Sequence, residues 1–352
     1  MTRIIGFGEC LPGQPVTNAE LAAMFGLHER WLDTMTGNHS RYYCAKDAAS
    51  GVPTGTGDLA VAAGAAALAD AATRREDIDF VILATASPDE LMPATVNRVI
   101  DRLGINDVPA IQLTSGCAGA VQALYVADTF LRAGHRRGLV IGADTCKQMW
   151  PSGNSAVDMR PAEAINFAMF GDGAGAAVLD GRPGPGLRID EISVRSVGLG
   201  REPGQVVRWY GANGAPTITD DRGVLVREPM ASEDYKSIES EVPRAAQLVI
   251  DELLDRTGWS LPEVDLVLTP QLNGVMTERI RVSLGVREDQ AVSCVADTGN
   301  NGNALPLIQL KRTADRIRLD RNISRRVLVC AIESSKWIQT GMALSYEPES
   351  TL

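Results

Sequence analysis

Residues 110–120 read Ala-Ile-Gln-Leu-Thr-Ser-Gly-Cys-Ala-Gly-Ala, a stretch that joins an apolar strand to an alanine-rich helix. Cys117 stands at the start of that helix and is approached through glycine and small residues. Unpaired backbone N–H groups and the helix dipole at this end favour a thiolate, so the pattern predicts a nucleophile of low pKa. The same N–H groups are placed to hold an oxyanion when a carbonyl group is attacked. The alternative is a buried structural cysteine.

The elements around this junction form a pattern that occurs twice in the chain. The first copy contains, in order, a helix over 57–72, a strand over 79–83, a helix ending near 102–105, the strand and helix at 110–133, and a strand over 136–143. The second copy contains a helix over 242–257, a strand over 265–268, a helix ending near 283–286, a strand over 291–296, a helix after Asn300 and a strand over 325–331. Asn300 therefore marks the second junction as Cys117 marks the first.

Short apolar strands that alternate with helices are typical of parallel sheets covered on both faces. Two such halves, packed back to back, predict an α/β protein with a duplicated, layered α/β/α/β/α fold. Pseudo-twofold symmetry between the halves would bring Cys117 and Asn300 into one cleft.

The repeat also predicts how the chain is divided. We assign residues 1–180 to the first half, 181–235 to a connector and 236–352 to the second half. The connector is rich in glycine and proline turns and carries Trp209 and Tyr210. Its length favours a lid over the pocket, with Trp209 as a candidate substrate contact, and the alternative is an ordinary linker.

Composition limits the classes of function. The chain has 352 residues and a formal net charge of −10, and this acidic balance disfavours nucleic acid and anionic membranes as partners. Its six cysteines include no CxxC pair, so no metal site is expected, and such scattered cysteines are typical of the reducing cytoplasm. The first residues resemble a strand rather than a signal peptide, and no apolar run reaches the roughly 18 residues that cross a bilayer.

Five segments carry a resemblance to a known family. The most specific is Phe-Gly-Asp-Gly-Ala-Gly-Ala-Ala-Val-Leu at 170–179, and the others are Trp31–Arg41, Ala84–Asp89, Gly116–Gly119 and Gly299–Asn300. The chain resembles the thiolase-fold condensing enzymes, most closely the ketoacyl-acyl-carrier-protein synthase III branch. The five segments are similar to that branch's GDGAGA signature, its W-x-x-x-x-T-G-x-x-x-R stretch, its dimer-interface loop, its nucleophile motif and its active-site asparagine motif.

The resemblance implies a homodimer that forms an acyl-cysteine intermediate on Cys117, with Asn300 as a second catalytic group. It implies a thioester of coenzyme A or of an acyl carrier protein as the substrate, and no separate cofactor. Trp31 matches a tryptophan that stacks on the coenzyme A adenine, unless it is a core or interface aromatic. Arg160 lies near the position of that tryptophan's partner arginine, although its spacing to Gly171 differs from the family's. Five basic residues are candidates for docking a carrier protein, or are solvated helix ends: Arg136, Arg137, Lys311, Arg325 and Arg326.

The chain departs from the family where a histidine is expected. The family has Pro-His-Gln-Ala-Asn, whereas residues 269–273 here are Thr-Pro-Gln-Leu-Asn. Pro270 or Gln271 therefore occupies the histidine position, and neither side chain exchanges a proton near neutral pH. Gln271 and Asn273 remain candidate substrate-binding residues. The three histidines of the chain lie outside the junction segments, at His28, His39 and His135.

A second departure is Glu-Ser-Ser-Lys-Trp at 333–337, where the family has a glycine-rich turn that completes the oxyanion hole. We expect Lys336 or Trp337 to narrow the substrate pocket or to change its charge. The alternative is a remodelled surface turn.

The missing histidine favours acyl transfer over decarboxylative carbon–carbon bond formation. In the family, histidine and asparagine together stabilise the enolate, and losing one such donor costs about 10²–10³ in rate. Acylation of a cysteine is less demanding. We therefore expect an acyltransferase of polyketide or other specialised metabolism that passes an acyl group from Cys117 to a hydroxyl, an amine or a carrier thiol. Asp297 or Glu333 is expected to act as the base, although Asp297 is alternatively a helix cap. The alternatives are a condensing enzyme that relies on Asn300 and a catalytically poor partner subunit.

Overall fold

The computed structural model describes residues 1–149, 161–209, 215–219, 223, 225–228, 230–319 and 323–347. Its strands are β1 (Arg3–Cys10), β2 (Val16–Thr17), β3 (Ser40–Arg41), β4 (Phe80–Thr85), β5 (Ala110–Thr114), β6 (Arg137–Thr145), β7 (Asp172–Asp180), β8 (Leu187–Ser196), β9 (Gln205–Val207), β10 (Thr217–Thr219), β11 (Leu225–Arg227), β12 (Ala231–Glu233), β13 (Leu266–Leu268), β14 (Arg325–Glu333) and β15 (Ile338–Tyr346). Its α-helices are α1 (Asn18–Phe25), α2 (Glu29–Thr36), α3 (Thr56–Asp70), α4 (Thr95–Leu103), α5 (Gly119–Arg132), α6 (Pro161–Met169), α7 (Tyr235–Thr257), α8 (Gly274–Ser283), α9 (Val295–Thr298) and α10 (Ala304–Arg318).

One sheet contains strands of both halves, in the order β13-β14-β15-β8-β1-β7-β6-β4-β5. The halves meet where β1 pairs with β8 at two positions, Arg3 with Arg188 and Ile4 with Leu187. β4 runs parallel to β5 and β6, and β13 runs parallel to β14, whereas the other neighbours are antiparallel. The expectation of parallel sheets therefore holds for these three pairs and is wrong for the others. β14 and β15 show the reason, because the short turn 334–337 that joins them leaves no room for the crossover that a parallel pair needs.

The helices that follow the two junctions lie between the half-sheets. α5 packs against β4, β6, β8 and β15, and α10 packs against β1, β7, β13 and β14. Buried residues of both halves meet there in one core that includes Ile82, Leu124, Leu307 and Val329. α3 and α4 cover the outer face of the first half, and α7 and α8 cover the outer face of the second. The layers run α/β/α/β/α, which confirms the duplicated fold.

The duplication extends to the ends of two outer helices. Gly104 follows α4 with a φ of 68°, and Gly285 stands just after α8 with a φ of 67°. This left-handed conformation is open to glycine at little cost and ends a helix. The two glycines that the sequence repeat aligns therefore have the same structural task.

The strand expected at 291–296 is not formed. Ala291 makes one isolated bridge to Val267, and the chain then enters the short helix α9. The Gln271 side chain explains the difference, because its Oε1 accepts the N–H groups of Cys294 and Val295 at 2.9 Å. These backbone donors are therefore satisfied by a side chain instead of a neighbouring strand.

The span assigned to the connector contains β8, which is a strand of the second half-sheet. The later part of the span includes β9, which pairs with β12, and β10, which pairs with β11. Tyr210 lies outside the described residues. In the part of the chain that the structure describes, no helix has both the length and the apolar composition needed to span a bilayer.

Candidate active site

Cys117 lies in the turn 115–118 between β5 and α5, as the sequence predicts. The turn is tight, with the Gly119 N–H donating to the Gly116 carbonyl at 2.9 Å. A Cβ atom on Gly119 would lie 2.2 Å from Asn303 Oδ1, so the start of α10 packs directly on this turn. Asn303 Nδ2 also donates to the Ser115 carbonyl at 2.8 Å. The second junction therefore fixes the backbone that carries the thiol.

Asp144, near the end of β6, joins the start of α10 to the loop after β4. Its Oδ2 accepts the N–H and the Nδ2 of Asn303, and its Oδ1 accepts the Ala86 N–H and the Ser87 hydroxyl. Burial raises the pKa of this carboxyl, against the opposing effect of the hydrogen bonds. Asp144 is therefore a structural anchor whose oxygens are occupied.

Asn300 reaches the site from the second half. Its backbone N–H donates to the Met169 carbonyl at 2.9 Å, and its carbonyl accepts the Gly171 N–H at 3.1 Å. Its side chain is 4% exposed, with Nδ2 donating to the Leu272 carbonyl at 3.2 Å and Oδ1 accepting the Gly302 N–H. The Phe170–Leu179 signature therefore contacts the asparagine motif directly.

Cys117 and Asn300 line one cavity of about 50 Å³, which we call the thiol cavity. Its other lining residues include Gln205, Glu233, Tyr235, Pro270, Gln271, Gln309 and Cys330, with apolar side chains such as Met169, Ile238 and Leu305. None of the described residues that line it is an arginine, a lysine or a histidine. The structure thus brings the two predicted junctions together in one cavity, whose described lining contains no positively charged side chain.

A second cavity of about 280 Å³ also borders the cysteine turn, and we call it the side cavity. Ser115, Gly116 and Glu333 line it together with an apolar wall. The wall consists of Ala86, Pro88, Leu91, Val207 and Trp209. Gln205 lines both cavities, so the cysteine turn and β9 separate two spaces of different size.

The electrostatics around Cys117 are the opposite of those expected. Burial, followed by the charges of Glu333, Asp144 and Glu233, raises the pKa of the thiol to about 12, and a backbone hydrogen bond opposes this rise without cancelling it. The prediction of a low-pKa thiolate is therefore wrong. The turn before α5 offers partial positive charge, but three carboxylates and a low-dielectric setting outweigh it. The thiol needs a proton acceptor when it reacts.

Glu233 is a functional candidate that the sequence did not reveal. It ends β12, where it pairs in register with Gln205 of β9, and Gln205 Nε2 donates to its Oε1 at 2.6 Å. Burial raises the pKa of Glu233 to about 7, although the bond from Gln205 opposes the rise. The signal was weak because Glu233 lies in a turn-rich segment far along the chain from both junctions.

Glu333, at the end of β14, is the other carboxylate beside the cysteine turn. It is 3% exposed, and its Oε2 accepts the Ser115 hydroxyl at 2.7 Å while its Oε1 accepts the Ser335 hydroxyl. A Cβ atom on Gly116 would lie 3.2 Å from the Glu333 carboxyl carbon. Glu333 therefore contacts the turn closely, in the side cavity rather than in the thiol cavity.

Comparison with known proteins places this geometry in a family. Residues 111–198 match the family described as 3-Oxoacyl-[acyl-carrier-protein (ACP)] synthase III. The chain is 32% identical over 313 residues to beta-ketoacyl-[acyl-carrier-protein] synthase III 3 of Streptomyces coelicolor, over 87% of this chain and 88% of that protein. It is 33% identical over 311 residues to the synthase III of Bradyrhizobium diazoefficiens, over 86% and 87%. The chain belongs to the 3-oxoacyl-[acyl-carrier-protein] synthase III family.

Solved structures show the same fold. AbyA1, described as a tetronic acid condensing enzyme, matches with a TM-score of 0.87 and 42% identity, over 98% of this chain and 99% of that one. The 3-oxoacyl-(acyl carrier protein) synthase III of Pseudomonas aeruginosa PAO1 matches with a TM-score of 0.80 at 24% identity, over 99% and 98%. This protein therefore has the thiolase-like fold of the synthase III enzymes.

The segment that replaces the synthase III histidine motif lies at the thiol cavity only in part. Pro270 and Gln271 line the cavity, but the Gln271 amide is committed to the backbone, with Nε2 donating to the Val292 carbonyl at 3.0 Å. Asn273 is fully buried and caps α8, accepting the Met276 N–H at 2.8 Å. The structure thus assigns Gln271 and Asn273 hydrogen bonds that hold the chain, not free groups that face a substrate.

Lys336 and Trp337 do not narrow either cavity. Lys336 is exposed, and its Nζ donates to the Arg201 carbonyl. The Trp337 indole N–H donates to the Glu202 carbonyl at 2.8 Å, and the Arg201 guanidinium lies 4.1 Å above its ring. These side chains hold the connector against the turn 334–337. Ser334 and Ser335 are the residues of this turn that reach the cavities.

The remaining catalytic candidates lie apart from the thiol. Asp297 Oδ1 is 3.3 Å from His39 Nδ1, and both side chains are largely exposed, at 66% and 75%. Asp297 therefore lines neither of these two cavities and lies within α9 rather than at its cap. His28 is exposed before α2, and His135 stacks on Phe130. None of the three histidines is among the described residues that line the thiol cavity.

The candidates for binding coenzyme A or a carrier protein are placed as follows. Trp31 packs against the cluster of Leu21, Phe25 and Phe167 and lines neither cavity. Arg160 lies outside the described residues. Each of the five basic residues pairs with a carboxylate: Arg136 with Asp79, Arg137 with Asp180, Lys311 with Asp315, Arg325 with Asp265 and Arg326 with Glu263. These pairs leave little unbalanced positive charge at those positions.

Proposed function

We propose that this chain is a condensing acyltransferase that forms an acyl thioester on Cys117 and passes the acyl group to a nucleophile without decarboxylation. The observation that supports it most is the thiol cavity, where Cys117 and Asn300 meet Glu233 and where the described lining holds neither a cation nor an imidazole. Acyl transfer from a thioester needs a nucleophile and a proton acceptor, and both are present there.

The charges of the site favour a neutral substrate. A malonyl thioester carries a free carboxylate, which here would face Glu233 in its ionised form and lie close to Glu333. Its enolate would also lack the donor that histidine supplies in the family, because Pro270 has no N–H and the Gln271 amide already donates to the Val292 carbonyl. An acyl thioester without a carboxylate meets neither obstacle.

The acceptor follows from the same chemistry. A carbon between two carbonyl groups is acidic enough to lose a proton to a carboxylate base, and no carboxylate has to leave. A tetronic acid is a five-membered lactone with an enolised ketone, so its assembly from two thioesters takes one C–C bond and one C–O bond. The similarity to AbyA1 supports an acceptor of this type. We therefore propose a hydroxyacyl or β-ketoacyl thioester whose carbon or hydroxyl attacks the acyl-Cys117 carbonyl, breaks the C–S bond and restores the thiol.

The proposal extends to the setting of the reaction. Thioesters of coenzyme A or of an acyl carrier protein are the proposed substrates, in the specialised metabolism of the cytoplasm. We also propose a homodimer. Leu91 and Met92 support it, because they are 67% and 89% exposed on the loop before α4, where a second copy would cover their apolar surface.

Intact-protein mass spectrometry tests the proposed function. The protein is incubated with a panel of neutral acyl-coenzyme A thioesters and with malonyl-coenzyme A, and the adduct mass is followed. We expect an acyl adduct from neutral donors that is lost in Cys117→Ala and kept in Cys44→Ala, a partly exposed cysteine outside the cavities. Carbon dioxide release from malonyl-coenzyme A would instead identify a decarboxylating synthase. The absence of any adduct, also with carrier-bound donors, would identify a partner subunit.

A further inference from the structure

Resting on the proposed function, we infer that Glu233 is the catalytic group that moves the proton in both half-reactions, in the place of the histidine that the chain lacks. Glu233 comes from the connector, whereas the family histidine position is Pro270 or Gln271 in the second half. The proton-transferring group would then come from a different segment of the fold than it does in the family.

Geometry carries the inference. Glu233 lines the thiol cavity together with Cys117 and Asn300. The β9–β12 pairing fixes its backbone, and within the described residues its one side-chain hydrogen bond is the bond from Gln205 Nε2 to Oε1. A carboxylate that is held by one bond keeps acceptor capacity for a proton on a reacting atom.

The other carboxylates near the thiol are occupied or remote. Asp144 accepts bonds at both oxygens, from Asn303 and from the loop after β4. Glu333 accepts two serine hydroxyls and lines the side cavity. Asp297 is exposed beside His39. Glu233 is the carboxylate that shares the thiol cavity with the sulfur.

The surroundings of Glu233 suit a group that exchanges a proton near neutral pH. Burial raises the pKa of Glu233 to about 7, and Gln205 of β9 opposes the rise. The titratable groups that line the same cavity are Cys117 before α5, Tyr235 of α7 and Cys330 of β14, while α10 contributes Gln309 and no described lining residue is cationic. Both protonation states are therefore populated at the pH where a general base works best.

The proton balance closes with one group. In the first half-reaction the Cys117 sulfur bonds to the donor carbonyl, its proton passes to Glu233, and Glu233 returns the proton to the departing donor thiolate. In the second half-reaction the acceptor carbon or hydroxyl gives its proton to Glu233 as it attacks. The C–S bond to Cys117 breaks, and Glu233 returns the proton to the cysteine sulfur.

Two rates measured on the same variant separate proton transfer from simple electrostatics. Glu233→Gln removes a negative charge near the thiol wherever Glu233 is ionised, so alkylation of Cys117 by iodoacetamide is expected to become faster at pH 8 and 9 and to change little at pH 6. Acylation by the neutral acyl-coenzyme A that labels the wild type fastest is expected to fall by about 10² or more, because the base is lost. The wild-type acylation rate is expected to level off above about pH 7, and the variant rate is expected to keep rising with pH.

Two control variants complete the test. Glu233→Asp keeps a carboxyl group, so its acylation rate is expected to be lower but still to level off near pH 7. Glu239→Gln removes an exposed carboxylate on α7 and is expected to be acylated at the wild-type rate. If Glu233→Gln is acylated as fast as or faster than the wild type, with the same pH profile, the inference is overturned while the proposed function stands. If the wild type is alkylated at Cys117 but never acylated, the proposed function and the inference both fail.

Discussion

Replacing Glu333 with glutamine isolates the charge that opposes ionisation of Cys117. The Glu333 charge is the largest cause of the raised thiol pKa after burial. Glutamine has nearly the same size and keeps an oxygen that accepts a hydroxyl from Ser115 or Ser335, so the substitution changes charge more than shape. The variant should therefore ionise Cys117 more easily while the cysteine turn stays in place.

The size of the effect follows from the thiol pKa of about 12. At pH 8 about one thiol in 10⁴ is ionised, and this fraction grows about tenfold with each pH unit. The whole rise from the ordinary thiol value of 9 is about 3, and burial is its largest cause, so loss of the Glu333 charge is expected to lower the pKa by about 1. This predicts alkylation by iodoacetamide about 10-fold faster at pH 8.

The assay is intact-protein mass spectrometry of the alkylated chain between pH 6 and 9, with Cys117→Ala to identify the site. Glu278→Gln, which removes an exposed carboxylate on α8, is the matched control and should leave the rate unchanged. A wild-type rate that levels off below pH 8 would refute the reasoning, because it would mean that the helix N-terminus already ionises the thiol. An unchanged rate in Glu333→Gln would refute the assigned role of its charge.

Three further predictions concern stability and its pH dependence. Gly142→Ala places a Cβ 2.2 Å from the Asn303 carbonyl oxygen, so the start of α10 must move. We expect chemical denaturation to show a free energy of unfolding lower by about 1–3 kcal/mol, together with slower acylation. A variant as stable as the wild type would contradict the close approach. Glu233 has a folded-state pKa of about 7, above its unfolded value of about 4.3, so its ionisation destabilises the folded protein as the pH rises through that window. Glu233→Gln should therefore raise the Tm at pH 8 and have little effect on it at pH 4. Equal changes of Tm at the two pH values would count against burial as the cause. Burial opposes ionisation of Asp180, but hydrogen bonds from Arg182 and Arg137 outweigh it and hold the carboxyl pKa well below its usual range. The stability this gives is present above about pH 4 and lost at lower pH, so Asp180→Asn should lower the Tm at pH 7 by several degrees, and a difference that does not narrow in more acidic buffer would exclude the ion pairs as its source.

The elements of the fold could be predicted where local pattern decides them. The apolar run of β5, the small residues after it and the alanine-rich α5 specify a strand, a turn and a helix without help from distant segments. Gly104 and Gly285 mark equivalent helix ends because a left-handed residue is needed at each. The prediction of a strand at 291–296 was wrong for the opposite reason. The Gln271 side chain, which is remote in sequence, accepts the backbone N–H groups that a neighbouring strand would otherwise have bonded.

The site could be predicted only as far as its backbone is concerned. The two junctions locate Cys117 and Asn300 because they follow from the repeat. The charge around the thiol does not follow from the repeat. Glu233 of β12 and Glu333 of β14 lie near the thiol because of tertiary packing, which no local sequence pattern encodes. A helix N-terminus in isolation would lower the pKa of the thiol, but burial and, after it, three carboxylates raise the pKa instead.

A competition in one vessel addresses the proposed chemistry most directly. The protein is mixed with equal concentrations of its preferred neutral acyl-coenzyme A and of malonyl-coenzyme A, and a β-ketoacyl thioester is added after the first sample. Peptide mapping is expected to find the neutral acyl group on the Cys117 peptide before the acceptor is added and to find it gone afterwards. No carbon dioxide is expected to be released. A malonyl-derived product with stoichiometric carbon dioxide, or an acyl group on any residue other than Cys117, would contradict the assignment.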